Sequence, residues 1–182
     1  MSRYISLLKG INVGGHKKIL MADLRTYLSN SGLENVETYI QSGNIIFDSL
    51  ITDKLEIARL IHQVIKEKYS FEVVVLVISP EKVASLPQLN PFLNDPAIDI
   101  AKLHVTFLHG TPGPEEKQAL SKLNRDTDIL EVNEDVIFIY CPFGYGNSKL
   151  SNTYIERAAK QESTTRNWKT VLKLIELSSS YD

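Results

Sequence analysis

VETYIQSGNIIF, residues Val36 to Phe47, is the stretch that decides the fold. Val36 to Ile40 and Ile45 to Phe47 read as two short strands. Gln41-Ser42-Gly43-Asn44 between them reads as a hairpin turn, since Gly and Asn tolerate the positive φ that tight turns require. Working outward toward the N-terminus, Leu20, Leu24, Tyr27 and Leu28 mark one face of a short helix that Gly32 can end, and Arg3 to Leu8 precedes it as a strand. Toward the C-terminus, Asp53 and Glu56 stand at capping-box spacing, with Asp where Ser or Thr is usual. They open a helix whose Ile57, Ile61, Val64 and Ile65 repeat with helical period. Val73 to Ile78 follows as a strand. The order β-α-β-β-α-β is that of a ferredoxin-like unit.

Beyond this unit, Ser79-Pro80-Glu81 starts a short helix, with Ser as cap and Pro in the first helical position. Pro80, Pro87, Pro91 and Pro96 are four of the seven prolines in the chain, which places a linker over residues 80–101. Leu103 to Leu108 then reads as a strand, and Thr111 to Glu116 enters a helix that runs through Leu123. Ile129 to Val132 and Val136 to Tyr140 form a second hairpin, turned at Asn133 to Asp135. A helix capped by Thr153, with Glu156, comes next, and a final helix runs from about Arg166 to Leu177 with Trp168, Leu172 and Ile175 on its core face. The second half thus begins β-α-β-β-α. The expectation is an α+β fold of two ferredoxin-like, βαββα-type halves with antiparallel sheets in tandem, one over 1–79 and one over 102–182.

Composition narrows the function classes. With 43% apolar and 23% charged residues, the 182-residue chain can bury a real core. A net charge of -2 and a pI near 6.1 argue against a general electrostatic grip on DNA, which needs a basic face to release counterions, although a local basic loop remains open. Cys141 is the lone cysteine and cannot form an intramolecular disulfide. No apolar run approaches the ~20 residues that span a bilayer, and the opening residues are not patterned like a leader, so the expectation is a cytoplasmic protein with no membrane partner.

Two glycine-rich polar loops follow apolar strands. The first, Lys9 to Lys18, has Gly10 and Gly15 at the spacing of a P-loop. However, His16 stands where Lys should follow the glycine directly, and Lys18 replaces the Ser or Thr that would hold magnesium, so this is not a Walker motif. The second, Gly144-Tyr145-Gly146-Asn147-Ser148-Lys149, has Lys149 where a dinucleotide loop needs its third glycine. Glycines let backbone amides approach a ligand and lysines add charge, so either loop could cradle an anion. Either could equally be a long connection whose glycines serve its bends. Ser163 to Thr170 gathers hydroxyls, a guanidinium, an amide and the only tryptophan at a helix entrance, where Arg166 could grip a phosphate or carboxylate or could be an ion-pair residue. The candidate ligand-binding residues are therefore Lys9, Asn12, Gly14, Gly15 and Lys17 from the first loop; Gln41, Ser42 and Asn44 from the hairpin turn; Gly144, Gly146, Ser148 and Lys149 from the second loop; and Arg166 with Asn167.

Other chemistry has little support. His104 and His109 fall on opposite faces of a strand, and His16 and His62 have no ligand-like neighbour in sequence, so no metal site is expected. Cys141 reads as a small buried hydrophobe with no local base. Neither a catalytic residue nor a cofactor is identified.

The segments YISLLKGINVGG (Tyr4 to Gly15), TYIQSGNIIF (Thr38 to Phe47), NSKL (Asn147 to Leu150) and TTRNWKTV (Thr164 to Val171) resemble the bacterial family called domain of unknown function 1697. Its members commonly carry Arg where this chain has Lys9, which keeps the charge but not the bidentate geometry. The resemblance implies two ferredoxin-like halves and assigns no activity. Three functions follow as expectations. The first is binding of a small anionic, phosphorylated or nucleotide-like ligand in a cleft between the halves. The second is RNA binding, which ferredoxin-like sheets can support by stacking bases on aromatics, although Asn44-Ile45-Ile46-Phe47 lacks an aromatic-rich RNA-binding pattern. The third is a regulatory or protein-interaction module, for which no protein partner is evident.

Overall fold

The computed structural model describes residues 1–125 and 127–179, with the side chain of Asn147 left aside. The chain divides into two compact units. One comprises Met1–Ala84 together with the C-terminal residues from Leu174, and the other is Ser85–Lys173.

In the first unit, β1 (Ser2–Leu8), α1 (Met21–Asn30), β2 (Glu34–Tyr39), β3 (Asn44–Ser49), α2 (Lys54–Tyr69) and β4 (Val75–Ile78) form an antiparallel sheet in the order β2-β3-β1-β4 with two helices. This is the ferredoxin-like order expected from the hairpin. Register follows from alternation: Tyr4 pairs with Phe47 and Ser6 with Ile45. That pairing sends Tyr4, Leu8, Ile45 and Phe47 toward the same core as Leu24 and Leu28 of α1 and Ile57, Ile61 and Ile65 of α2. Each fully buried aliphatic side chain contributes about 1.5–3 kcal/mol, so the α2 stripe anchors the layer. Asp53 caps α2 by accepting from the Leu55 amide at 2.8 Å.

Several boundaries differ from the periodic reading. Leu20 lies outside α1 and is 68% exposed, and Met21 takes its place on the buried face. Ile40 leaves β2 at φ 52° and is 48% exposed, because the turn begins one residue earlier than its β-branched side chain suggests. Val73 is buried but lies before β4.

In the second unit, β5 (Leu103–Leu108), α4 (Pro114–Ser121), β6 (Ile129–Asn133), β7 (Val136–Tyr140), α5 (Asn152–Ala159) and β8 (Ser163–Asn167) repeat the pattern in the order β6-β7-β5-β8. The strand β8 completes the second half as β-α-β-β-α-β, and it occupies residues that read as a helix entrance in the sequence. Its polar composition, STTRN, hides an antiparallel pairing with β5 that runs from His104↔Asn167 to Leu108↔Ser163. Leu108, Ile137, Ile139, Leu130 and Cys141 pack with Leu120 of α4 and Ile155 of α5.

Two further helices, α3 (Pro80–Leu89) and α6 (Trp168–Ser179), cross the division between the units. Short 3-10 turns, Pro91–Asn94 and Ile100–Lys102, fill the rest of the proline-rich stretch. Thr153 does not cap α5; Ser151 holds that position, and Glu156 instead accepts from the Ser163 amide at 2.7 Å. On α6 the buried apolar positions are Trp168, Val171 and Leu174, while Leu172 is 44% exposed. The helix begins only after Asn167, and the three-residue steps from Trp168 set its buried side.

Candidate functional site

The loop after β1 is held by its own polar groups. Asn12, at φ 54°, accepts from the Ile19 amide at 2.9 Å through Oδ1. Its Nδ2 donates to the Ile19 carbonyl at 3.0 Å and the Gln41 carbonyl at 2.9 Å. Gly14 and Gly15 have φ values of 57° and 80°, and the His16 amide donates to the Val13 carbonyl at 3.0 Å. This is a two-residue hairpin turn of the kind that requires two positive φ angles. Lys17 donates from Nζ to the Glu72 carbonyl at 2.8 Å.

The β2–β3 turn sits against this loop. The Leu8 amide donates to the Gly43 carbonyl at 2.8 Å. At φ +77°, a Cβ on Gly43 would fall 2.6 Å from Leu8 Cβ and 2.9 Å from Ile11 Cδ1. Asn44 is fully buried, and its Nδ2 donates to the Tyr39 carbonyl and Ser42 Oγ, each at 3.0 Å. Asn12, Ser42 and Asn44 therefore spend hydrogen bonds on shaping the loops.

Between loop and turn lies an open groove of about 340 Å³ lined by Asn12, Gly15, Lys18, Ile19, Leu20 and Gln41. Lys18, which was weighed in the sequence only as a mismatch to a P-loop, is exposed here and makes no hydrogen bond or ion pair among the described residues. Leu20 is the N-cap of α1 and supplies no side-chain acceptor, so the amides of the first helical turn have no side-chain cap. The groove thus combines a cation and an exposed apolar side chain beside the start of α1. Lys9 is engaged through its amide with the Val74 carbonyl at 3.0 Å and does not line the groove.

In the second unit the loop after β7 serves a different arrangement. Gly144 adopts φ 96°, and Ser148 Oγ accepts from the Leu150 amide at 2.9 Å. Gly146 and Lys149 are exposed. Tyr145 stacks on His104 at 4.7 Å between ring centroids. The Tyr145 hydroxyl lies 3.2 Å from Thr165 Oγ1 and 3.3 Å from Asn152 Oδ1, and Thr165 Oγ1 lies 2.6 Å from Thr106 Oγ1. This polar network ties the loop to β8 and α5. No sequence spacing pointed to it, because its members come from two strands, a loop and a helix and only the sheet register aligns them.

Burial first, and local hydrogen bonds after it, set the chemistry of this cluster. His104 is pushed below its ordinary value by burial, partly offset by the Lys102 carbonyl 3.2 Å from Nδ1. Burial raises the Tyr145 phenol, and burial also raises the Cys141 thiol, against the Ser148 hydroxyl that favours its thiolate. The phenol and thiol therefore stay neutral near pH 7, which makes Cys141 a poor nucleophile.

Arg166 lies within β8 and is only 7% exposed, donating to Thr164 Oγ1 at 2.8 Å and the Thr165 carbonyl at 2.9 Å. Burial lowers its guanidinium to about 10, which leaves it charged at neutral pH. Asn167 caps α6 by accepting from the Thr170 amide at 2.8 Å. Among the described residues, no group of three or more His, Cys, Asp or Glu could hold a metal ion, and no helix is long and apolar enough to cross a membrane.

Two ferredoxin-like sheets, each with a shaped polar loop after a strand that lies inside the sheet, define an α+β protein with two tandem βαββαβ units. The chain belongs to the family described as Protein of unknown function (DUF1697), which matches residues 1–138. It is also similar to the solved structure of the conserved bacterial protein SP0830 from Streptococcus pneumoniae. That likeness has a TM-score of 0.72 and 29% identity over 97% of this chain and 98% of the other. No curated protein matches the chain in sequence.

Proposed function

We propose that this protein binds a small anionic ligand in the groove beside the β1–α1 loop. The observation that carries the reading is Lys18, an exposed cation without a partner among the described residues, lining a groove where α1 begins without a side-chain cap. The positive end of a helix and a nearby ammonium both favour a negative group. Asp23, the acidic residue of the first helical turn, does not line the groove. It acts instead on Tyr69, whose phenol is pushed up to about 12 by burial first and by Asp23 second. The groove volume falls within the usual range for small-molecule sites.

RNA stacking on a sheet is less well supported. It needs an open face bearing aromatics, whereas Ile5, Leu7 and Ile46 on the face away from α1 and α2 are fully buried. In the second unit Val105 and Phe138 are likewise buried. The test is a thermal-shift panel of acetate, inorganic phosphate, adenosine monophosphate and a short RNA on wild type and Lys18→Ala. A ligand at 100 times its Kd adds about 2.7 kcal/mol to stability. An anion-dependent rise in midpoint that Lys18→Ala removes is expected. A rise given only by RNA, or one that survives in Lys18→Ala, refutes the assignment.

A further inference from the structure

The groove beside the β1–α1 loop has an uneven chemistry that narrows its ligand. Of its three polar side chains, Asn12 is committed to the loops: its amide spends both its oxygen and its nitrogen on the Ile19 backbone and the Gln41 carbonyl. Lys17, the neighbouring cation, reaches away to the Glu72 carbonyl. That leaves Lys18 as the cation of the lining. Gly15 and Gln41 complete the lining together with Ile19, which is buried, and Leu20, which is 68% exposed, and the flanking turns present Val13 at 65% and Ile40 at 48% exposure.

Leucine at Leu20 is informative because it stands at the N-cap of α1, where Ser, Thr, Asp or Asn would satisfy a helix amide. The side chain neither caps the helix nor enters the core. Its methyl groups instead form groove wall. No aromatic residue lines the groove, so a nucleobase has no stacking partner there. A single cation also matches one negative charge better than the several charges of a nucleoside polyphosphate.

From these features we infer that the ligand is a monoanion with an apolar chain, of the aliphatic-carboxylate class. Its head group meets Lys18 and its chain lies along Leu20. The inference rests on the anion-binding reading of this groove and specifies its ligand. Binding is reversible and involves no covalent change.

Calorimetric titration of the full chain with acetate, butanoate, hexanoate, octanoate, inorganic phosphate and adenosine monophosphate tests it. Because a buried methylene is worth up to about 0.8 kcal/mol, affinity should rise about two- to fourfold for each methylene added. Lys18→Gln should weaken every carboxylate. Leu20→Ser should flatten the chain-length series while leaving the unfolding midpoint at or above that of wild type, which separates lost contact from lost fold. If phosphate or the nucleotide binds through Lys18 and octanoate binds no better than acetate, the anion site stands and the apolar-chain inference fails. If no anion binds in a Lys18-dependent way, both fail. A chain-length series that neither substitution alters places the binding elsewhere and also overturns the inference.

Discussion

Replacing Leu20 with Asp should make the protein more stable and a worse binder of anions. Leu20 is already in the extended backbone of an N-cap, at φ -77° and ψ 121°, and its carbonyl accepts from the Leu24 amide at 3.0 Å. An Asp there needs no backbone change to accept from the Ala22 or Asp23 amide. A cap of this kind is worth about 0.5–2 kcal/mol, with some added gain from a negative charge at a helix N-terminus. Little is lost in exchange, because the leucine is 68% exposed. For a chain of this length, about 1 kcal/mol moves the midpoint by roughly 2–4 °C, so an upward shift of that order is expected in thermal unfolding. The same carboxylate would stand beside the proposed anion and compete for the helix amides. At ~4 Å, like charges repel by about 1 to 4 kcal/mol between the limits of bulk water and a protein surface, so binding should weaken about fivefold or more. Calorimetry with octanoate and differential scanning of the same sample measure both effects. A raised midpoint with unchanged affinity would remove the groove as the binding site. A lowered midpoint would show that Leu20 supports the fold, and the functional reading of its exposure would fall with it.

Gly43→Ala should destabilise by about 2–4 kcal/mol, because the new methyl meets Leu8 at 2.6 Å and the residue must keep a φ of +77° that L side chains rarely adopt; urea unfolding reads the loss. Arg166→Ala should lower the midpoint and leave Lys18-dependent anion binding unchanged, since the guanidinium is 7% exposed and bonded within β8; unchanged stability with lost binding would return Arg166 to the site. Stability should also fall as pH drops below about 6.5, the ordinary histidine value. His104 is held below that value in the folded state by burial, so the unfolded chain takes up the proton first, and the stability present above pH 6.5 is lost toward the lower folded value. His104→Phe, which keeps a ring against Tyr145, should reduce the difference between midpoints measured at pH 7.5 and pH 5.5; an unaltered difference would assign the acid sensitivity to other groups.

How far the sequence could be read depended on whether burial left a periodic trace. The α2 stripe of Ile57, Ile61, Val64 and Ile65 was legible and is buried as expected, because a helix that packs on one side must repeat its apolar residues. The strand β8 was not legible. Ser163, Thr164 and Arg166 are buried in it, but they satisfy their polar groups through Glu156, Thr164 Oγ1 and backbone carbonyls, so the segment carries no apolar alternation. The same distinction governs the loops. Glycine and asparagine marked the turns correctly, yet the residue types that suggest ligand contact are also those that close turns. Asn12, Asn44 and Asn167 each point their amides at their own backbone surroundings. What sets Lys18 and Leu20 apart emerges only when such internal partners have been assigned: a charge and an apolar side chain remain beside one groove, and neither is needed to hold the loop that carries it.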